Sequence, residues 1–511
     1  MKKLLSLCLM ILFLSTLIIS CTSTDTSSKA QSEPKIQTVN LPKIIINSTQ
    51  NGGSNDFVST PVAKHVKEAQ MSWHDYSNKD APDPWYEVCT ISAEDEEGNA
   101  LLDKVAGQVK VRGNWTTNYS KKSLRIKFDK KQTMLGLNEG QKFKNWVLLA
   151  CWKDASLLRD AVALKMFNTM FPEYYSSDSK LVEVYINNTY WGVYLLAEQQ
   201  ETKEGRVGIT EPEKNYKGTD IGYLIEMDTY CVNEVENEQL WIDYIGAVKD
   251  YNGSSLSKKS LQSGYTIKSD IYDAAQKNFI QDYMNKLWKI CYEAAYNNKY
   301  YRFDENYNLA EFTPEGKTDD EKAKNCISQI IDIKSLADMY IYNEIVCDPD
   351  LYLTSFFMDI DFGKDGDKLL RFEAPWDFDS TMGNKRHCAD AKGMFAGVKG
   401  YDVNYSDFGH GNPWMFIFIN SDWFKQLVKE EWEEARKTNP ARIADDLIES
   451  YEAYPVSFEN NRITWGNPSD DNELCPASKK AAKESQEAAA SYLKNWINTR
   501  IKEVDSIINK L

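Results

Sequence analysis

Three carboxylates, Asp350, Asp377 and Asp379, are the side chains of this chain best suited to do chemistry together. The residues between them predict a short hairpin, with strands at 355–358 and 369–372 joined by a Gly-containing turn. One hairpin accounts for the spacing between the two groups of acids. Phosphoryl transfer uses such a pair, because one acid positions the attacking hydroxyl and another holds Mg²⁺ on the phosphates. The alternative interpretation is that each acid is hydrogen-bonded within a turn.

Other catalytic motifs are missing from the sequence. The chain has four His and no H-E-x-x-H pattern, so a His-based zinc site is not expected. Gly316, Lys317 and Thr318 resemble the end of a P-loop, but Glu311 stands where that motif requires Gly. The segment after Asp361 departs from a calcium-binding loop in the same way.

The N-terminus predicts a bacterial lipoprotein. Lys2 and Lys3 precede an apolar run at 4–19, and a single small residue separates that run from Cys21. Residues 1–20 are therefore interpreted as a lipoprotein signal peptide, and Cys21 as the lipidated first residue of the mature chain. An uncleaved transmembrane anchor is the alternative, but a membrane span needs about 20 apolar residues.

Residues 21–38 contain few large apolar side chains and predict a disordered tether. The folded part would then lie at the outer face of the cytoplasmic membrane, held there by the lipid. With 511 residues, 42% of them hydrophobic, the chain is long enough for a large core in one domain or two lobes. The net charge of −16 argues against nucleic acid as a partner, because phosphate backbones are bound by clusters of Lys and Arg.

The elements that must position the acids change character along the chain. A β-rich N-terminal region is predicted at 39–110, and 122–128 alternates strictly between polar and apolar residues. Two further apolar runs flank Asn187 and Asn188 and predict a hairpin. The second half shows helical spacing, with amphipathic helices predicted around 279–294, 336–343 and 493–511. An α+β fold is therefore expected, with a β-rich N-terminal lobe and an α-rich C-terminal lobe.

Several blocks of sequence, spread over residues 85–385, occur together in the order of a known family. They are V-R-G-N-W-T at 111–116, K-K-S-L-R-I-K-F at 121–128, L-G-L at 135–137, N-W-V-L-L-A at 145–150, L-L-R-D at 157–160, V-Y-I-N at 184–187, G-V-Y-L-L-A-E-Q at 192–199 and P-W-D-F-D at 375–379. The set resembles the spore-coat protein H (CotH) kinase-like family. The resemblance implies an atypical protein-kinase-like fold at 85–385, with residues 386–511 as a helical extension packed on this core. It also implies phosphorylation of Ser or Thr on secreted or spore-coat proteins, dependent on ATP and on Mg²⁺ or Mn²⁺.

The resemblance also assigns roles to individual residues. Asp350 is similar to the family's catalytic acid, Asp377 and Asp379 to its metal ligands, and Trp376 to a residue beside the nucleotide. Ser355 stands where many relatives have an Asn that binds Mg²⁺. A hydroxyl is a weaker ligand than an amide carbonyl for this hard cation.

The cation that would bind the ATP phosphates has several candidates. Lys122 and Lys127 lie on one predicted strand but on opposite faces, the second together with Arg125. Lys122 is the candidate if the cleft lies under the apolar face, and Lys127 if it lies under the polar face. Arg112 is a further candidate, and Glu198 would pair with the Lys and orient it. The alternative is that these are ordinary charges on a strand surface.

Two classes of function remain open from the sequence. The first is a secreted, membrane-anchored protein kinase. The second is a surface or spore-coat assembly protein that uses a kinase-like scaffold with weakened chemistry. Ser355 and the lack of a G-x-G-x-x-G loop favour the second class, and fold alone does not decide between them.

Overall fold

A computed structural model describes residues 35–49, 86–113, 116, 119–256, 261, 263–386, 389–401, 409–468 and 473–511. Gln37–Leu511 form one compact unit. The predicted signal peptide, Cys21 and almost all of the predicted tether lie outside the described residues. None of the helices within the described ranges has both the length and the apolar character of a membrane span.

The first half of the chain builds a closed β-barrel. Its strands are β1 (Lys43–Ser48), β2 (Glu87–Glu94), β3 (Ala100–Val111), β4 (Leu124–Gln132), β5 (Phe143–Leu149), β6 (Ser179–Ile186) and β7 (Thr189–Glu198). Their order around the barrel is β1-β2-β3-β4-β5-β7-β6. The barrel closes because β1 pairs with β2 on one side and runs parallel to β6 on the other. Closure leaves the described strands of the barrel without an unpaired edge.

Strand β4 shows why the barrel has a filled interior. Successive side chains of a strand point to opposite faces, so Leu124, Ile126 and Phe128 are all buried in the barrel core. Arg125 and Lys127 lie on the outer face. The predicted alternation of this segment is confirmed, and the polar face of β4 is the face outside the barrel core.

The hairpin between β6 and β7 was also predicted correctly. Asn187 and Asn188, which connect the two strands, have φ values of 47° and 63°. A two-residue turn that matches the twist of a hairpin needs positive φ at both positions, and Asn tolerates that conformation better than most residues.

A second, four-stranded sheet carries one of the candidate catalytic loops. It is formed by β8 (Gly222–Met227), β9 (Gln239–Leu240), β10 (Tyr265–Ile267) and β13 (Phe356–Asp361), in the order β13-β8-β10-β9. Two small two-stranded sheets pair β11 (Tyr301–Phe303) with β12 (Leu309–Glu311) and β14 (Gly400–Tyr401) with β15 (Gly409–His410).

The predicted strand at 369–372 is wrong. The first strand of that hairpin exists as β13, but its ladder partner is β8. Arg371 makes a single bridge with Asp359, and the neighbouring Leu370 turns away to bridge Ile331. Because the backbone of the returning segment divides its hydrogen bonds between two partners, it does not continue as a strand.

Helices dominate the second half. They are α1 (Arg159–Met170), α2 (Ala274–Asn297), α3 (Asp319–Ile327), α4 (Ile333–Val346), α5 (Pro413–Phe416), α6 (Asp422–Ala435), α7 (Pro440–Tyr451), α8 (Pro455–Trp465), α9 (Pro476–Glu484) and α10 (Gln486–Ile508), with 3₁₀ turns at Asn138–Gly140, Cys231–Asn233, Glu236–Glu238 and Arg436–Thr438. The molecule is therefore α+β, β-rich at its N-terminal side and helical at its C-terminal side.

A second hydrophobic core joins the barrel to the helices. Val147 of β5 and Leu195 of β7 belong to it, together with residues of α1 and α4. Trp414 and Trp496 of the C-terminal helices are buried in the same cluster. The seven cysteines that the structure describes are all buried free thiols.

Candidate active site

Helix α4 and the turn after it position Asp350. The helix ends at Cys347, which has a φ of 51° and donates its backbone N–H to the Asn343 carbonyl. The Asp348 side chain then accepts a hydrogen bond from the Asp350 N–H at 2.9 Å and forms a tight turn. The Asp350 side chain itself is about one-fifth exposed, at 21%, so it is accessible from solvent.

The end of this turn is held by β8. Glu226 of β8 accepts hydrogen bonds from the Thr354 hydroxyl at 3.1 Å and from the Ser355 N–H at 3.0 Å. Ser355 has a φ of 61°, a conformation that a residue other than Gly adopts only where its surroundings impose it. The predicted Mg²⁺ ligand Ser355 is therefore part of a rigid turn, and its metal role stays a prediction.

Helix α1 positions the second group of acids. Asp160, in the first turn of α1, accepts a hydrogen bond from the backbone N–H of Phe378 at 2.7 Å. That contact fixes the loop between Asp377 and Asp379. Asp377 has a φ of 67°, again outside the usual range for this residue type. Asn384 completes the loop by donating to the Asp379 carbonyl at 2.6 Å.

The acids of the two loops form one electrostatic cluster, although they come from separate segments. Burial raises the pKa of Asp377 well above its usual range, and the charges of Asp379, Asp160 and Asp350 raise it further. Burial also raises the pKa of Asp160 to about 7, with Asp379 as the next contributor. The pKa of Asp348 is raised by burial and by the charge of Asp350. A divalent cation bound among these carboxylates would relieve their mutual repulsion, so they are suitable ligands for one.

Three cations face this cluster. Desolvation lowers the pKa of Arg112, and the charge of Asp377 offsets part of that effect. The Arg112 guanidinium also lies 5.6 Å from the centre of the Trp376 ring, within cation–π range. Lys385 lies 3.8 Å from a carboxylate oxygen of Asp350. Lys153 is the third, and its charge and that of Lys385 partly offset the burial that raises the pKa of Asp379.

The fit to Mg²⁺ depends on what else would bind it. Among the described residues, no three acidic, His or Cys side chains converge into a complete metal site. Mg²⁺ in phosphoryl-transfer sites is usually held by one or two carboxylates together with substrate phosphates and water. Asp377 and Asp379 fit that arrangement, and they would hold an ion that binds together with its nucleotide.

The other residues that were predicted to bind the ATP phosphates, or to orient the Lys that does so, have different partners in the structure. Lys122 donates from Nζ to the Tyr119 carbonyl at 2.7 Å, and Lys127 is exposed, 5.8 Å from the Tyr86 ring. Glu198 forms a buried ion pair with Arg206 at 3.1 Å. Glu198, which was predicted to orient a Lys, is therefore paired with Arg206. Among the predicted phosphate-binding cations, Arg112 is the one that lies beside the acids.

Several members of the site were not identified from the sequence. Asp160 and Asp348 had a signal, because the first lies within the L-L-R-D block and the second lies two residues before Asp350. Lys153 and Lys385 carry no local pattern that separates them from surface lysines. Their role is visible only where the chain brings them to Asp379 and Asp350.

Comparison with known proteins shows the family of this chain. The sequence model of one protein family, described as CotH kinase protein, matches residues 109–504. The match includes both acidic loops and also runs through most of the region that was predicted to be an extension beyond the core. No curated protein matches the chain. Because the family match covers most of the sequence, this chain belongs to the CotH kinase protein family.

Proposed function

We propose that this protein is an atypical, kinase-like enzyme that transfers the γ-phosphate of ATP to Ser or Thr of secreted or spore-coat proteins. The observation that carries the proposal is the electrostatic cluster of Asp350, Asp377 and Asp379, which two separate loops assemble beside Arg112 and Lys385. Packing alone does not explain so many acids that raise one another's pKa, because buried charges are costly unless they have a task or a partner.

Each residue has a distinct role in this proposal. Bound ATP would supply the phosphoryl group. The Mg²⁺ bound with it would supply positive charge that offsets the negative charge of the acids. Asp350 accepts the hydrogen bond of the substrate hydroxyl and orients it for attack. Asp377 and Asp379 hold the metal. The Arg112 guanidinium covers one face of the Trp376 ring. A nucleotide base would therefore contact a different part of Trp376.

The decisive experiment is phosphoryl transfer by an Asp350→Asn variant. An amide cannot accept the hydroxyl proton, so transfer from labelled ATP should fall by about 100-fold or more while the fold is kept. The measurement is autophosphorylation, and phosphorylation of Ser-containing peptides, with Mg²⁺ and with Mn²⁺.

Asp365→Asn is the matched control for that experiment, because Asp365 is an exposed acid in the turn after β13. It should transfer phosphate at the rate of the parent. Equal rates for the parent and Asp350→Asn would remove Asp350 from the site.

We further propose that the protein is lipid-anchored at Cys21 and faces the outside of the cytoplasmic membrane. Two or three acyl chains anchor a protein firmly, whereas one chain gives marginal binding. Cys21→Ser should therefore move the protein from the detergent phase to the aqueous phase in a phase-partitioning experiment. Partitioning that does not change would show that the apolar run at 4–19 is the anchor.

A surface or spore-coat assembly role is the second candidate. The observation that favours it is Ser355, which stands in the place of an amide ligand and whose backbone is tied to Glu226. A protein of this kind would bind its partner without transferring phosphate. Absence of transfer by the parent with both metals, together with partner binding, would support it.

A further inference from the structure

Two buried lysines at the edge of the acidic cluster share one carboxylate. Lys153 and Lys385 both form ion pairs with Glu473, the second at 3.6 Å. The side chains of Lys153 and Lys385 are 7% and 15% exposed, whereas Glu473 is 36% exposed. The carboxylate therefore covers the lysines from the solvent side.

The place of this pair in the site is defined by its other neighbours. Lys385 lies 3.8 Å from Asp350, the proposed catalytic acid. The charge of Lys153 acts on Asp379, one of the proposed metal ligands. The two ammonium groups are therefore neighbours of the acid that would orient the substrate hydroxyl and of the acid that would hold the metal.

Glu473 is an unexpected residue in such a place. The cluster already contains several carboxylates that raise one another's pKa. Burial alone would raise the pKa of Glu473, but Lys153 and Lys385 lower it overall. Its carboxylate is therefore an anion held by two cations, although several other carboxylates belong to the same cluster.

The residues that follow Glu473 attach its segment to the loop before it in the fold. Leu474 makes a single bridge with Lys385, and the Cys475 N–H donates to the Asn384 carbonyl at 2.9 Å. The Cys475 thiol lies 3.1 Å from the Gly383 carbonyl. The Glu473 side chain is 36% exposed, so rotation about its own bonds can carry the carboxylate away from the lysines while α9 stays in place.

We propose that Lys153 and Lys385 form a phosphate-binding pair and that Glu473 occupies it as an intramolecular competitor when no nucleotide is bound. A carboxylate and a phosphate oxygen make the same charge-assisted contacts with ammonium groups. Polyphosphate must therefore displace Glu473. The inference rests on the proposed nucleotide site, but it does not require that phosphoryl transfer takes place.

The test is binding of inorganic tripolyphosphate in the presence of Mg²⁺, measured by isothermal titration calorimetry. The apparent affinity of a site equals its intrinsic affinity multiplied by the fraction of molecules in which the site is open. If Glu473 fills the pair in nine of ten molecules, Glu473→Gln should tighten tripolyphosphate binding by about tenfold. Adding Lys153→Met to Glu473→Gln should remove that gain.

Glu484→Gln is the matched control, because Glu484 is an exposed acid whose nearest cation, Lys480, is 4.0 Å away on the same helix. It removes the same charge and should bind tripolyphosphate as the parent does. The melting temperature of each variant checks that the fold is kept. Glu473→Gln that binds no more tightly than the parent overturns the inference.

The two proposals fail separately. Tighter binding by Glu473→Gln, in a protein that transfers no phosphate from ATP, would leave the competitor in place and reject the kinase. Phosphate transfer by the parent, with no gain from Glu473→Gln, would reject the competitor alone.

Discussion

At the scale of single residues, environment matters more than residue type. Lys121 and Lys122 are neighbours in the sequence, yet Lys121 is buried and donates to the Ala150 carbonyl at 2.9 Å. Burial lowers the pKa of Lys121 to about 7. Its contacts with backbone carbonyls indicate a structural role, whereas Lys385 reaches a candidate catalytic acid.

The acids of the site lead to a prediction about metal. If Asp377 and Asp379 hold Mg²⁺ with the nucleotide, a non-hydrolysable ATP analogue should raise the melting temperature only when Mg²⁺ is present. Ligand binding to the native state stabilises it by about 2.7 kcal/mol at a concentration 100 times the Kd. Asp377→Ala combined with Asp379→Ala should abolish the shift, measured by differential scanning fluorimetry.

An acid elsewhere in the same region serves as the control. Asp365→Ala removes an exposed carboxylate and should keep the metal-dependent shift. A shift that does not depend on metal, or that survives the double substitution, contradicts the assignment of these two acids.

At the scale of elements, the contact between the barrel and the C-terminal helices depends on one glycine. Gly192 of β7 has a φ of 121°, and a Cβ there would lie 2.7 Å from the Asn461 side chain of α8. Asn461 also accepts a hydrogen bond from the Val193 N–H at 3.1 Å. Strand and helix approach closely at this point because the residue between them has no side chain.

Gly192→Ala should therefore destabilise the protein by about 1–3 kcal/mol, because the new methyl group separates β7 from α8 and the backbone is strained. Urea unfolding at equilibrium measures the change. Gly208→Ala is the control, since the nearest atom to its added Cβ is 3.9 Å away and its φ is ordinary. Equal stability of the two variants would show that the contact adapts without cost.

At the scale of the whole molecule, the C-terminal helix is tied to the helix that positions Asp350. Arg500 of α10 and Glu344 of α4 form an ion pair at 2.8 Å, and neither side chain is exposed to solvent. Arg500 also donates to the Glu344 carbonyl at 2.6 Å and to the Gly393 carbonyl at 2.7 Å. Residues far apart in the sequence therefore hold the end of α4 in place.

Arg500→Ala should lower the free energy of unfolding by about 3–5 kcal/mol, because it leaves the buried Glu344 charge without its partner. Urea unfolding is again the measurement. Arg436→Ala is the control, since the pair of Arg436 and Asp505 is exposed and should contribute about 1 kcal/mol or less. Equal effects of the two substitutions would show that the buried pair has no special role.

Much of the fold was predictable because its signals are local. The alternation of β4 and the Asn187 and Asn188 turn depend on residues close together in the chain. Helix α1 begins at Arg159. The Asp154 side chain accepts hydrogen bonds from the backbone N–H groups of Leu158 and Arg159, and so holds a turn before the helix. The closed barrel was not predicted, because its closing pair joins β1 to β6 across more than 130 residues.

The sequence by itself determined the two acidic loops, the α+β character and the family, since each depends on residue types in a short and ordered pattern. Only the tertiary structure decided which cations lie beside the acids. It placed Arg112, Lys153 and Lys385 in the site, and it paired Glu198 with Arg206. Strand and helix periodicity report which face of an element is buried, but they do not report which distant element covers that face. Lys153 meets a carboxylate 320 positions further along the chain, a contact that arises only when the complete core has folded.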